Sequence, residues 1–149
     1  MSDDLPQEQV ADRFEYRIVV EPGDIDANGH ANNVVYVRWI QDAAVAHWFA
    51  VVGREQRRAV SWVVTRHEVD YKRPALVGEA LVARTWVGGS TAATCERFCE
   101  IARPADGVIL ARSRTVWCLV DPATGRPKRI DEAIRGLFAG RWPRGEGDG

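Results

Sequence analysis

Alternating apolar and polar positions mark the first element of the chain. In RFEYRIVV, Arg13 to Val20, the residues Phe14, Tyr16, Ile18 and Val20 share one face at the two-residue period of a strand. The run EPGD, Glu21 to Asp24, then breaks the alternation. From Asn33 to Val52 the pattern becomes a long apolar segment, rich in alanine and without proline or glycine until Gly53. At 3.6 residues per turn this predicts one helix of about five turns. Its valines and aromatics lie almost all round the axis, so burial on most sides is expected. Arg38 and Asp42, four residues apart, share its wet stripe and are expected to pair.

GREQRRAV, after Val52, reads as a basic loop. Four β-rich, alternating runs follow: SWVVTRHEVDY (Ser61 to Tyr71), EALVARTWV (Glu79 to Val87), AATCERFCEIAR (Ala92 to Arg103) and VILARSRTVWCLV (Val108 to Val120). The turn signals KRPALVG, GGS and PADG separate them. At about 3.3 Å per residue the longest run extends some 40 Å, enough to span a five-turn helix. A short helix near Asp131 to Ala139 closes the pattern, with Asp131 as its cap. The implied fold class is α+β, with a long central helix against an antiparallel sheet of five to six strands. Residues 13–140 are expected to form one domain, between flexible tails at 1–12 and 141–149.

Composition agrees with this and narrows the function. A length of 149 residues fits a single domain, and 46% hydrophobic residues suffice for a core. Twenty basic residues against 21 acidic give a net charge of −1, which leaves no footprint for nucleic acid or an anionic membrane. The start, MSDDLPQEQVAD, is acidic and lacks the apolar run of a signal peptide. Arg38, Gln41, Asp42 and His47 interrupt the apolar helix, so no membrane span is expected. A cytoplasmic location is the expectation. Three cysteines, Cys95, Cys99 and Cys118, make no disulfide framework and are expected to be small buried side chains. No metal or cofactor is implied, because histidines and cysteines lack zinc-ligand spacing.

The stretch GDIDANGHANNVVYVRW, Gly23 to Trp39, departs from a core pattern. Taken singly, Asn32 or Asn33 is a helix cap, Asn28-Gly29 a turn, and Asp24 and Asp26 turn acids before a helix N-terminus. Taken together, Asp24, Asp26, Asn28, His30, Asn32 and Asn33 crowd ten positions, more than one turn and one cap need. A carboxylate, amides, an imidazole and the free N–H groups of a helix start suit acyl transfer, where an oxyanion develops.

This stretch resembles the signature of hotdog-fold thioesterases, the acyl-CoA and acyl-carrier-protein hydrolases related to 4-hydroxybenzoyl-CoA thioesterase. The likeness continues in RHEVDYKRPALVGEALVARTWVG and ARSRTVWCLVDPATGRPKRI, and so covers roughly residues 13 to 140. It implies a central helix wrapped by the sheet and hydrolysis of a thioester to free acid and thiol. Asp26 stands at the family's catalytic carboxylate, and His30 follows Gly29 in the common GH form. Asp26, Asn28 and His30 together show the D-x-N-x-H spacing of plant acyl-carrier-protein thioesterases. The backbone N–H near Asn33 stands where the family polarises the carbonyl. Tyr36 and Trp39 match helix positions that serve packing and the pocket wall. Plant relatives join two hotdogs in one chain, so this single hotdog is expected to form a homodimer or a tetramer of two dimers.

For the substrate's phosphates the basic groups Arg54, Arg57 and Arg58, Lys72-Arg73, and Arg126, Lys128 and Arg129 are available. Arg73, in the stiff turn before Pro74, is the first choice. WVGGST, at the end of the third strand, carries no charge where some relatives bind phosphate. His67, Glu68 and Asp70 are expected on a wet strand face, and His47 in the core or an interface. Two alternatives share the fold: a hydratase or dehydratase, and a non-catalytic acyl-CoA-binding module. The hydratase pattern D-x-N-P-x-H is one residue longer than the spacing here and contains a proline. A non-catalytic binding module would lack the carboxylate, and Asp26 is present.

Overall fold

The computed structural model describes residues 13–137. Its elements are β1 (Phe14–Val19), a 3-10 turn (Pro22–Asp24), α1 (Asn33–Val51), α2 (Arg54–Ala59), β2 (Ser61–Tyr71), β3 (Ala80–Ser90), β4 (Thr94–Arg103), β5 (Val108–Val120) and α3 (Glu132–Leu137). The strands form one sheet in the order β1-β3-β4-β5-β2, and every neighbouring pair is antiparallel. β1 and β2 are therefore the two edges, and α1 is the connection between them.

α1 packs on the face that carries Ile18, Leu81, Ala83, Cys99, Ile101 and Ala111. Val35, Tyr36, Trp39, Ile40 and Ala43 meet that face at the N-terminal half of the helix. Trp48 and Val52 form a second cluster at its C-terminal end, with Val60, Val87, Cys95, Leu119, Ile130 and Ile134. The opposite face of the sheet carries a charged cluster beside Val82 and Ala102. There the buried Glu100 takes Arg13 at 2.8 Å, Arg84 at 3.6 Å and Arg112 at 3.7 Å.

The structure corrects several expectations. α1 is not buried on most sides: Val34 (72% exposed), Phe49 (55%) and Val45 are exposed. Arg38 does not pair with Asp42; its guanidinium reaches back to Asp24. The supposed basic loop holds the short helix α2, whose start is closed by the Gly53 N–H donating to Gln56 Oε1 at 3.2 Å. GGS does not end the third strand, because β3 runs on through Gly88 and Gly89 to Ser90. Glu68 and Asp70 alternate with His67, which lies on the helix side with Val69 and Tyr71. α3 begins with Asp131 as its cap, Oδ1 accepting the Ile134 N–H at 3.0 Å. Its last expected residues and both expected tails lie outside the described residues.

Candidate active site

The polar stretch folds as a tight loop between β1 and α1. Ile25 and Ala31 form an antiparallel bridge, and inside it the Asp26 N–H donates to the His30 carbonyl at 2.9 Å. The Gly29 N–H donates to the Asp26 carbonyl at 3.0 Å, and Gly29 adopts φ +82°, a conformation that favours glycine. The Asp26 side chain takes part: Oδ1 accepts the Asn28 N–H at 2.9 Å. Oδ2 has no hydrogen-bond partner among the described residues.

Two anchors hold this loop. Asp24, 5% exposed, accepts the Glu21 N–H on Oδ2 (2.9 Å) and Arg38 Nη2 on Oδ1 (3.0 Å). The Asn32 N–H donates to the Asp24 carbonyl, and the Ala31 N–H to the Ala75 carbonyl, both at 2.9 Å. The loop is thereby tied to the segment that follows β2.

At the helix start Asn32 is the cap. Its Oδ1 accepts the Val34 N–H at 3.0 Å and its carbonyl the Val35 N–H at 2.9 Å. The Asn33 N–H has no partner among the described residues. It is the donor at this positive helix end that remains for a ligand.

Tyr36, one turn in, is buried, and its hydroxyl bridges two backbone groups. It accepts the Ala75 N–H at 2.9 Å and donates to the Arg73 carbonyl at 3.3 Å. Tyr71 stands edge-on to Tyr36 and donates its hydroxyl to the Asn33 carbonyl at 3.2 Å. Desolvation raises both phenol pKa values, so both remain neutral donors at ordinary pH.

Asp26, Asn28, His30, Asn33, Tyr36 and Arg73 all line one cavity of about 380 Å³. Trp39 does not: it packs in the core, edge-on to Tyr36 at 5.2 Å. His47 sits elsewhere, buried on Arg97 and stacked on Phe14. Tyr71 and Lys72 also line the cavity. Lys72 stood among the basic groups available for phosphate, whereas the only sequence signal for Tyr71 was its position just before Lys72-Arg73-Pro74. Among the described residues no cluster of three His, Cys, Asp or Glu side chains is placed to hold a metal ion. No helix among them is long and apolar enough to cross a membrane.

A family model described as the thioesterase-like superfamily matches residues 20–138, spanning the loop, the helix and the sheet. The chain belongs to this superfamily. Among curated superfamily relatives, the chloroplastic palmitoyl-acyl carrier protein thioesterase of Gossypium hirsutum is 25% identical over 132 residues, 83% of this chain and 32% of that protein. The chain thus spans about a third of that relative's length. The fold recurs in Slr0204, a 1,4-dihydroxy-2-naphthoyl-CoA thioesterase from Synechocystis, with a TM-score of 0.75 at 14% identity, covering 85% of this chain and 96% of that one. It recurs also in the 12:0-ACP thioesterase from Umbellularia californica, with a TM-score of 0.76 at 20% identity, covering 90% of this chain and 52% of that one. The long helix on a five-stranded antiparallel sheet is the hotdog architecture that these structures share.

Proposed function

We propose that this chain hydrolyses acyl thioesters of coenzyme A or acyl carrier protein, in the cytoplasm, at the cavity where α1 begins. The observation that carries this reading is the meeting of a half-buried carboxylate and a free helix-start N–H at one cavity. The thioester carbonyl oxygen accepts from the Asn33 N–H, which stabilises the oxyanion as it forms. Asp26 Oδ2 takes a proton from water as the water oxygen bonds to the carbonyl carbon. Collapse of the tetrahedral intermediate expels the thiolate, which recovers that proton, and leaves the acid. The Asn28 N–H fixes the other carboxylate oxygen, and Asn28 and His30 orient the attacking water.

Arg73 is exposed at the same cavity and has no ion-pair partner among the described residues, which suits a substrate phosphate. A second copy is expected to cover the exposed Val34 of α1 and the open edge of β2, giving a homodimer or a tetramer of two dimers.

Thiol release tests the reading. Acyl-CoA and acyl-carrier-protein thioesters of short, long and aromatic acids should release thiol, and at least one class should turn over well above background. Arg73→Ala should raise KM for coenzyme A thioesters about tenfold, the worth of one lost charged contact. It should leave KM for N-acetylcysteamine thioesters, which lack phosphate, unchanged. No release from any of these substrates by the folded protein would refute the reading. Single turnover in ¹⁸O-water should place the label in the product acid; label in Asp26 instead would make the carboxylate a nucleophile.

A further inference from the structure

A second cavity, of about 330 Å³, lies at the other end of α1. At about 1.5 Å per residue its helix residues, Ala44 to Phe49, lie about 17–24 Å along the helix from Asn33, and it shares no lining residue with the Asp26 cavity within the chain. Trp48, Phe49, Trp62 and Trp117 contribute to its walls, and Arg97 lines it from β4.

Arg97 is 7% exposed and faces no carboxylate within ion-pair distance among the described residues. Nη1 donates to His47 Nδ1 at 2.9 Å and to Thr85 Oγ1 at 3.2 Å. A guanidinium only donates, so Nδ1 of His47 is the acceptor in this contact. Nε and Nη2 have no partner among the described residues. Cys95 and Cys99 flank Arg97 on the same strand face, but burial pushes their thiols up to about 11 and about 12. They are therefore uncharged and do not balance Arg97.

This isolation is unlike the other buried charges. Glu100 gathers three arginines and Asp24 takes Arg38. A guanidinium does not shed its proton to escape burial, so an unbalanced one is costly unless an anion joins it. The cavity offers the place for that anion. Arg57, its guanidinium 4.6 Å from the Phe49 ring, also lines the cavity, and no lining residue is acidic.

We propose that this cavity binds a small aromatic carboxylate. The carboxylate pairs with the free N–H groups of Arg97, whose planar fork matches two acceptor oxygens. The ring lies among the tryptophans, an apolar setting that does not suit a hydrated inorganic anion. The inference does not depend on the thioesterase reading.

Titration of the whole protein with 1-naphthoate and with neutral 1-naphthamide at pH 7.5, by calorimetry, tests it. The acid is expected to bind at least tenfold more tightly than the amide. Arg97→Met should remove that preference and leave the melting temperature unchanged or higher, since a buried charge is lost. Ala44→Leu keeps Arg97 but grows into the cavity from α1 and should weaken both ligands at least tenfold. Asp26→Asn should bind as the parent does. Equal binding of acid and amide, undiminished acid binding by Arg97→Met, or no saturable naphthoate binding by the folded parent would each overturn the proposal.

Discussion

The carboxylate of Asp24 and the guanidinium of Arg38 meet at 3.0 Å, joining the loop before α1 to the second turn of the helix. Asp24 is buried and Arg38 is exposed, so the two ends of this pair differ in weight. Asp24→Ala removes acceptors from both Arg38 and the Glu21 N–H and should cost about 1–3 kcal/mol. Arg38→Ala returns one oxygen of Asp24 to a side that water reaches and should cost under about 1 kcal/mol. Urea unfolding of the two variants measures the difference; equal losses would mean that the ion pair alone carries the anchor.

Tyr36 holds the other side of the site. Tyr36→Phe keeps the ring but leaves the Ala75 N–H without its acceptor beside a fully buried alanine. The expected loss is about 1–3 kcal/mol in unfolding free energy. Because the same hydroxyl holds the Arg73 carbonyl, KM for coenzyme A thioesters should rise more than kcat falls. A drop in kcat with KM unchanged would place Tyr36 in the chemistry instead.

Much of this fold was legible in the chain. Ser61–Tyr71 and Val108–Val120 emerge residue for residue where the alternation predicts them; Asp106-Gly107 and Asp121-Pro122 bracket the second run, and Pro74 follows the first. The loop residues were legible for a similar reason: Asp26, Asn28, His30 and Asn33 lie within eight positions, so local geometry alone brings them close. The Tyr71–Pro74 wall was harder to see, since it depends on the Ala31–Ala75 hydrogen bond between segments far apart in sequence. Arg38 was misassigned for the same reason, as helix spacing offers Asp42 while the fold supplies Asp24. Gly88 and Gly89 looked like a turn, yet a Cβ on Gly88 would sit 2.5 Å from Phe98 Cε2. There the missing side chain admits a neighbouring ring into a continuing strand. The apolar circumference of α1 exceeds what this chain's own core covers, since Val34, Val45 and Phe49 stay exposed.

Acid should weaken the fold in part through His67. Its Nδ1 lies 3.0 Å from Thr115 Oγ1, and its buried Nε2 has no partner among the described residues. Burial lowers its pKa below the ordinary 6.5. The unfolded chain therefore binds a proton that the folded chain does not, between that lowered value and 6.5. Stability is unaffected above this window and falls as pH drops through it. Urea midpoints at pH 7.5 and 5.5 should accordingly drop less in His67→Asn than in the parent; equal drops would remove His67 from the acid response.

The most direct test of the catalytic account is thiol release by the parent and by Asp26→Asn, compared after both show the same melting behaviour and assembly. The substitution keeps the shape and the Oδ1 acceptor for the Asn28 N–H but removes the base. A loss of about 10²–10⁴ in kcat, with KM little changed, is the predicted result. Equal rates in the two proteins would contradict it and reduce Asp26 to the turn that its hydrogen bond to Asn28 already builds.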